Sequence, residues 1–205
     1  MAFPLTLDEY LYAVAKETAR LSWPGRMHPI LVEGAKRDAE KYFTSDSFRP
    51  KLTNIWTRAI PNYDSWHRMC VSELAKEIQG KVTSHNRQGT PYCPETVAAK
   101  LMDAFMYQLM KYQESRYLWE CLHLLLDGKI FAALRTLTAD SCVLRNGQLG
   151  EILRKNPYTI TLEEYQHVQE QLRKLIRELN CRPNMEFKLT SPIQLNLLWA
   201  DGHRS

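Results

Sequence analysis

The sequence predicts an all-α protein, and three observations predict it. Apolar residues recur at three- and four-residue steps along most of the chain, the period of one buried helix face. Capping residues and Pro or Gly breakers separate those stretches, as at Trp23-Pro24-Gly25 and Asn156-Pro157. No segment shows the alternation of apolar and polar residues that a half-buried strand requires, and no internal repeat or low-complexity run is present.

The totals set bounds on this picture. With 205 residues, 44% of them hydrophobic, the chain can bury the core of one large domain or of two lobes sharing a core. A net charge of +4 is compatible with a polyanionic partner and does not demand one. The five cysteines, Cys70, Cys93, Cys121, Cys142 and Cys181, are widely spaced and form no C-x-x-C pair, which argues against a disulfide framework or a zinc knuckle. Asp8 and Glu9 stand where a signal peptide needs its apolar centre, and no apolar run approaches the roughly 18 residues of a membrane span. The expectation is a soluble, cytoplasmic protein in a reducing compartment.

Taken in order, Thr6-Leu7-Asp8-Glu9 reads as a capping box opening a helix to about Ser22, with Tyr10, Leu11, Val14, Ala15 and Thr18 on one stripe. Ile30 to Phe43 reads as a second, charged helix exposed on one side. Lys51 to Ile60 is a short helix closed by Pro61. Asp64 is expected to cap the next helix, which puts Trp66, Met69, Cys70, Leu74 and Ile78 on one side and ends at Gly80; His67 is expected at the surface.

Lys81 to Pro94 is a polar loop, basic at Lys81 and Arg87, leading into a helix that runs to about Tyr112. The amides at the start of that helix, with the hydroxyls of Thr90 and Thr96, make a plausible phosphate seat or an ordinary capped connection. Residues 113 to 126 read as a short helix or compact turn around Tyr117, Leu118, Trp119 and Leu122, and Asp127 then opens an apolar helix as its N-cap. Asp140 to Thr159 is rich in turn signals. Thr161-Leu162-Glu163-Glu164 starts a long amphipathic helix to Leu179, and Thr190-Ser191-Pro192 starts a last helix through Trp199.

Two residues in this scheme carry chemistry. Lys100 sits among Val97, Ala98, Ala99, Leu101, Met102, Phe105 and Met106, so its ammonium lies near apolar neighbours whichever face is buried. A lysine so placed is costly unless it is used. Asp127 follows Leu124-Leu125-Leu126 at a helix start.

Four phrases extend this observation: GTPYCPETVAAKLMDAFMYQLM, HLLLDGKIFAAL, EEYQHVQEQLRKLIRELN and IQLNLLWADG. In the same order they resemble blocks of the archaeal 8-oxoguanine DNA glycosylases, a divergent branch of the helix-hairpin-helix (HhH-GPD) base-excision glycosylases, over about residues 62 to 202. The resemblance implies a two-lobed helical fold with a cleft between intertwined lobes, the N-terminal helices and the last helix forming one lobe and the middle helices the other. It implies a single domain over 1–205, with the hairpin and catalytic region at about 81–135. It makes Lys100 the nucleophile and Asp127 its carboxylate partner, and puts Trp199 over the base. Where the family has an aromatic one turn after the lysine, this chain has Ala104 with Phe105 beside it. Where the family reads the base with an acidic residue, it has Leu195 between Gln194 and Asn196.

The activity so implied is excision of 8-oxoguanine or another modified base from double-stranded DNA, as a DNA N-glycosylase with AP-lyase activity. It needs no cofactor and no metal, and a monomer suffices. Lysine suits it because desolvation favours the neutral amine, which can attack the sugar C1′ and form a Schiff base, as a serine could not. Phe105 or Trp66 would stack on the flipped base opposite Trp199, and Gln194 or Asn196 would meet its edge. Lys81, Arg87, Thr90, Lys129 and Arg135 would contact DNA phosphates. Two other readings compete: a non-catalytic helical module binding nucleic acid or protein, and a ribonuclease using Arg116-x6-His123, whose spacing matches the R-x4–6-H motif of HEPN domains, a pattern short enough to arise by chance.

Overall fold

The computed structural model describes residues 7–21, 30–59, 62–86, 88–112, 116–137, 147–181 and 188–195. Among the described residues the regular structure is helical, with isolated β-bridges at Leu31–Val82 and His85–Pro91. The chain divides into two compact units, Met1–Leu118 and Trp119–Ser205. They are consecutive in sequence. No described helix is long and apolar enough to cross a membrane.

In the first unit the helices are α1 (Leu7–Leu21), α2 (Ala35–Phe43), α3 (Arg49–Trp56), α4 (Tyr63–Ile78) and α5 (Pro94–Tyr112). Helix α5 starts with Pro94 in its first turn and ends at Tyr112, as the sequence predicts. Every residue from Val97 to Met106 is buried, so α5 has no solvent face over that span and is a core helix. Helices α1 and α4 pack against it. Ala98, Ala99 and Ala104 are small enough to let those neighbours approach closely. On α1, Ala15 and Thr18 are buried, the inner face expected there; the capping box at Thr6 lies outside the described residues.

Phe105 of α5 stacks on Phe43 with ring centroids 4.2 Å apart and planes 3° from parallel. Phe48 meets both rings edge-on, and Trp66 lies beside Phe48. Such offset and edge contacts add roughly 0.5–1.5 kcal/mol each to the area they bury. The indole N–H of Trp66 donates to the Lys51 carbonyl at 3.0 Å, so the ring is buried without an orphaned donor.

The first unit also corrects three expectations. Helix α2 begins at Ala35 because Gly34 takes a left-handed conformation, φ 86°, and Leu31 is drawn into its bridge with Val82. Helix α4 is capped by Asn62, whose side chain accepts from the Ser65 amide at 3.2 Å, leaving Asp64 in the first turn. Met69, expected with Trp66 on the inner side, is 39% exposed. Gly34→Ala should lower stability by about 1 kcal/mol, because an L side chain strains the left-handed backbone while its Cβ would meet the Lys81 side chain only at ordinary contact distance. Urea denaturation measures this as a lower midpoint with an unchanged slope.

Helix α6 (Arg116–Cys121) spans the boundary between the units, and the second unit holds α7 (Gly128–Leu137), α8 (Gly147–Arg154), α9 (Leu162–Asn180) and a short 3-10 turn at Pro192–Gln194. Helix α8 replaces part of the loop expected from the glycines and Asn-Gly; Leu149, Ile152 and Leu153, at one-turn spacing, bury its inner face. The last helix is described only through this turn and Leu195, so Asn196 and Trp199 lie outside the described residues.

Helix α9 has the predicted capping box: Thr161 Oγ1 accepts from the Glu164 amide, and Glu164 Oε2 accepts from the Thr161 amide. Burial raises the Glu164 pKa, but hydrogen bonds from Lys155 and the Thr161 amide outweigh it and hold the carboxyl below the usual carboxylate range. A lowered folded-state pKa contributes stability above the unfolded value that is lost as pH falls through the folded one. Glu164→Gln should therefore narrow the gap to the native chain as the medium is acidified below about pH 4, read from thermal midpoints across an acid series.

Gln169 of α9 is 1% exposed and clamps the segment before Asp127: its Oε1 accepts from the Leu124 amide at 3.0 Å, and its Nε2 donates to the Leu124 carbonyl at 2.8 Å. That pairing satisfies a buried backbone donor and acceptor that no helix serves. Gln169→Leu leaves both unmade and should cost about 2–4 kcal/mol in chemical denaturation.

Candidate functional site

Lys100 is 6% exposed on α5, with buried apolar residues before and after it. One turn further along, Asp103 is 2% exposed in the same helix. Residues three apart on a helix are neighbours, roughly 5–6 Å between Cβ atoms. Lys100 and Asp103 therefore share one face of α5.

Helix α4 supplies the third member. Its inner stripe runs Tyr63, His67, Cys70, Leu74, Ile78, at steps of four, three, four and four, and all five are buried. His67, expected at the surface, is fully buried, and its Nε2 lies 2.9 Å from Asp103 Oδ1. The contact joins α4 to α5 with both side chains shut off from water. Removing one partner of a buried ionisable pair leaves the other without its compensation, so the pair constrains how these helices meet.

The sequence held a signal for this pair. Asp103 is the only acidic residue among the thirteen from Val97 to Leu109, and His67 takes a position of the apolar stripe. Neither is what a solvated helix face looks like.

Burial works against ionisation of the nearby thiols. Burial pushes Cys70 up to about 12, with the Tyr42 hydrogen bond opposing and the Glu73 charge adding to the shift. Burial also raises Cys93 above its usual value. Tyr42 donates to the Cys70 carbonyl and to Glu73, and Glu73 receives Lys51 at 2.6 Å; burial and the neighbouring Cys70 and Glu73 raise the Tyr42 phenol well above its usual range. This network ties α2, α3 and α4 together. No disulfide links the described cysteines.

In the second unit, Asp127 is the N-cap of α7. Its Oδ1 accepts from the Lys129 and Ile130 amides, both at 2.9 Å, and its carbonyl accepts from Phe131. The carboxylate is half-buried and held in one orientation by its own helix. Lys100 and Asp127 thus stand in different units, each fixed by its local helix.

The other expected site residues fall into three groups. Phe105 and Trp66 are at most 1% exposed within the aromatic core, so neither presents a face to a ligand in this arrangement. Gln194 folds back on its own turn, its Oε1 accepting from the Thr190 and Ser191 amides, which leaves its amide N–H groups to offer. Of the phosphate candidates, Lys129 is exposed, and Lys81 comes up to Gly34 beside Arg37, so two cations share one surface. Thr90 closes a turn in which Asn86 Oδ1 accepts from the Gln88 and Thr90 amides. Arg135 donates to the Leu153 carbonyl at 2.7 Å and so joins α7 to α8. Arg87 lies outside the described residues.

His123 of the R-x6-H spacing is 3% exposed, its ring 5.9 Å from that of Tyr165. A cavity of about 440 Å³ between the end of α4 and the start of α5 is lined by Ser72, Ala75, Lys76, Gln79, Pro94 and Glu95, and by none of the residues expected to act. No protein-family model, curated protein or solved structure matches the chain.

Proposed function

We propose that this chain is a DNA N-glycosylase with AP-lyase activity, which removes a modified base from duplex DNA through a Schiff base on Lys100. The observation that carries the reading is the burial of Lys100, 6% exposed in the span Val97 to Met106, whose other residues are apolar but for Asp103. Burial disfavours the charged ammonium and favours the amine that can attack carbon. The quoted sequence blocks supply the substrate class.

In this reading the fold is the two-lobed fold of the helix-hairpin-helix glycosylases, and the target nucleotide is extruded from the duplex before reaction. The Lys100 amine attacks C1′ and the glycosidic bond breaks, its electrons leaving with the base. A proton passes from Nζ to O4′ as the sugar ring opens, giving the C1′=Nζ iminium, from which the 3′ phosphate can be eliminated. Asp127, held by the α7 amides, offers fixed negative charge to the cationic sugar. With Phe105 and Trp66 in the core, the wall of the base pocket falls to Trp199, and the edge contacts to Asn196 and the Gln194 amide. The base is 8-oxoguanine or another modified base, and Lys81, Thr90, Lys129, Arg87 and Arg135 are the candidate phosphate contacts.

Borohydride trapping tests the reading. Incubating the native chain with duplexes carrying an abasic site or 8-oxoguanine should give a covalent protein–DNA adduct. Tight DNA binding with neither adduct nor base release, across a wider panel of modified bases, would instead favour the non-catalytic module.

A further inference from the structure

We infer that the buried His67–Asp103 pair is the proton acceptor that prepares Lys100 for attack, a positioning and proton-holding device distinct from Asp127. The inference rests on the Schiff-base reading above. A lysine side chain is ordinarily an ammonium at neutral pH, and a nucleophilic amine needs that proton removed first. The group best placed for this is on the same helix: Asp103, one turn from Lys100 on the same face of α5 and joined to His67 Nε2 at 2.9 Å. Asp127 is less suited to the task, since one of its oxygens already receives two amides of α7.

Within the first unit, the other described groups around α5 do not compete. Helix α4 brings His67 and the thiol Cys70 to the interface, while its Arg68, Lys76 and Glu77 are exposed, Asp64 is half-buried, and Glu73 is engaged by Lys51 and Tyr42. Helix α1 contributes Thr18 as its buried polar residue, with Glu9, Lys16 and Glu17 exposed. Helix α2 brings Phe43 and Tyr42, with Lys36, Arg37 and Lys41 exposed and Asp38 and Glu40 half-buried. Among the described residues of the first unit the pair is the buried acid–base couple of this helix cluster.

The proton balance closes. An ammonium proton moves from Lys100 Nζ to the carboxylate–imidazole pair, which holds it between its two members. The amine lone pair forms the Nζ–C1′ bond, and the C1′–N bond breaks. The departing base then takes up one proton by way of solvent, returning the pair to its starting state.

The test is single-turnover adduct formation on abasic-site duplex, measured from about pH 6.5 to about pH 8.5 beside the affinity for the same DNA. Asp103→Asn and His67→Gln, folded by circular dichroism, should bind DNA as the native chain does and trap it about 100-fold more slowly near neutral pH. That deficit should shrink by up to about tenfold per pH unit as solvent takes over deprotonation. A deficit that stays constant with pH, or no deficit, overturns the inference, because a purely structural pair has no reason to be compensated by base. The native chain gives an independent answer if the variants do not fold: a trapping rate nearly flat across this range supports the pair as proton acceptor, and a rise of about tenfold per unit overturns it. Absence of any native adduct sinks the Schiff-base reading and this inference together; an adduct lost in Lys100→Gln with unaltered pH behaviour in the pair variants sinks this inference alone.

Discussion

Lys100→Gln should abolish the borohydride-trapped adduct on abasic DNA and reduce strand cleavage by at least about 10³-fold, while leaving affinity for the same duplex close to native. Glutamine retains length and polarity but has no amine to form an imine. Lys100→Arg separates charge from nucleophilicity: a guanidinium stays protonated, so it preserves the positive charge and should be as inactive as glutamine. A lysine that merely held DNA phosphate would behave in the opposite way, losing affinity with glutamine and recovering it with arginine. Because Lys100 lies in a core helix, melting curves of both variants belong beside the activity data.

Phe105→Ala is expected to be the most damaging apolar substitution, costing about 3–5 kcal/mol of stability. Its ring is fully buried, stacked on Phe43 and edge-on to Phe48, so truncation opens a cavity inside the cluster that joins α5 to α2. Against a total stability of roughly 5–15 kcal/mol, that loss leaves the chain marginally folded at best. The same substitution distinguishes a core ring from one that stacks on an extruded base. Loss of thermal midpoint is the signature of the first, and loss of base release at native stability that of the second.

The sequence revealed much of the helical frame for identifiable reasons. Pro94 and the apolar run behind it locate α5, and the Thr161–Glu164 capping box locates α9, because in both a local backbone requirement coincides with the periodicity of burial. Asp127 was legible as an N-cap on the same grounds. Helix α8 was not, since Asn146-Gly147 and Gly150 are turn residues by local preference and only Leu149, Ile152 and Leu153 argue the other way. Packing of that small stripe overrides the propensity.

The candidate site divides along the same line. The burial of Lys100 followed from its neighbours whichever face turned inward. The His67–Asp103 pair required knowing that α4 and α5 meet along those particular faces, which no single-helix pattern specifies. Phe105 and Trp66 show the converse limit. A buried aromatic is equally suited by sequence to a pocket wall or a core, and only the stacking of Phe105 on Phe43 and the packing of Trp66 beside Phe48 distinguish the two.

The most direct measurement of the central claim is to locate the covalent bond. The native chain is trapped with borohydride on abasic-site DNA, digested, and the modified peptide sequenced by mass spectrometry. The account predicts the reduced sugar adduct on Lys100, in the peptide containing Thr96 to Met102; an adduct on another lysine or on the N-terminal amine would contradict it.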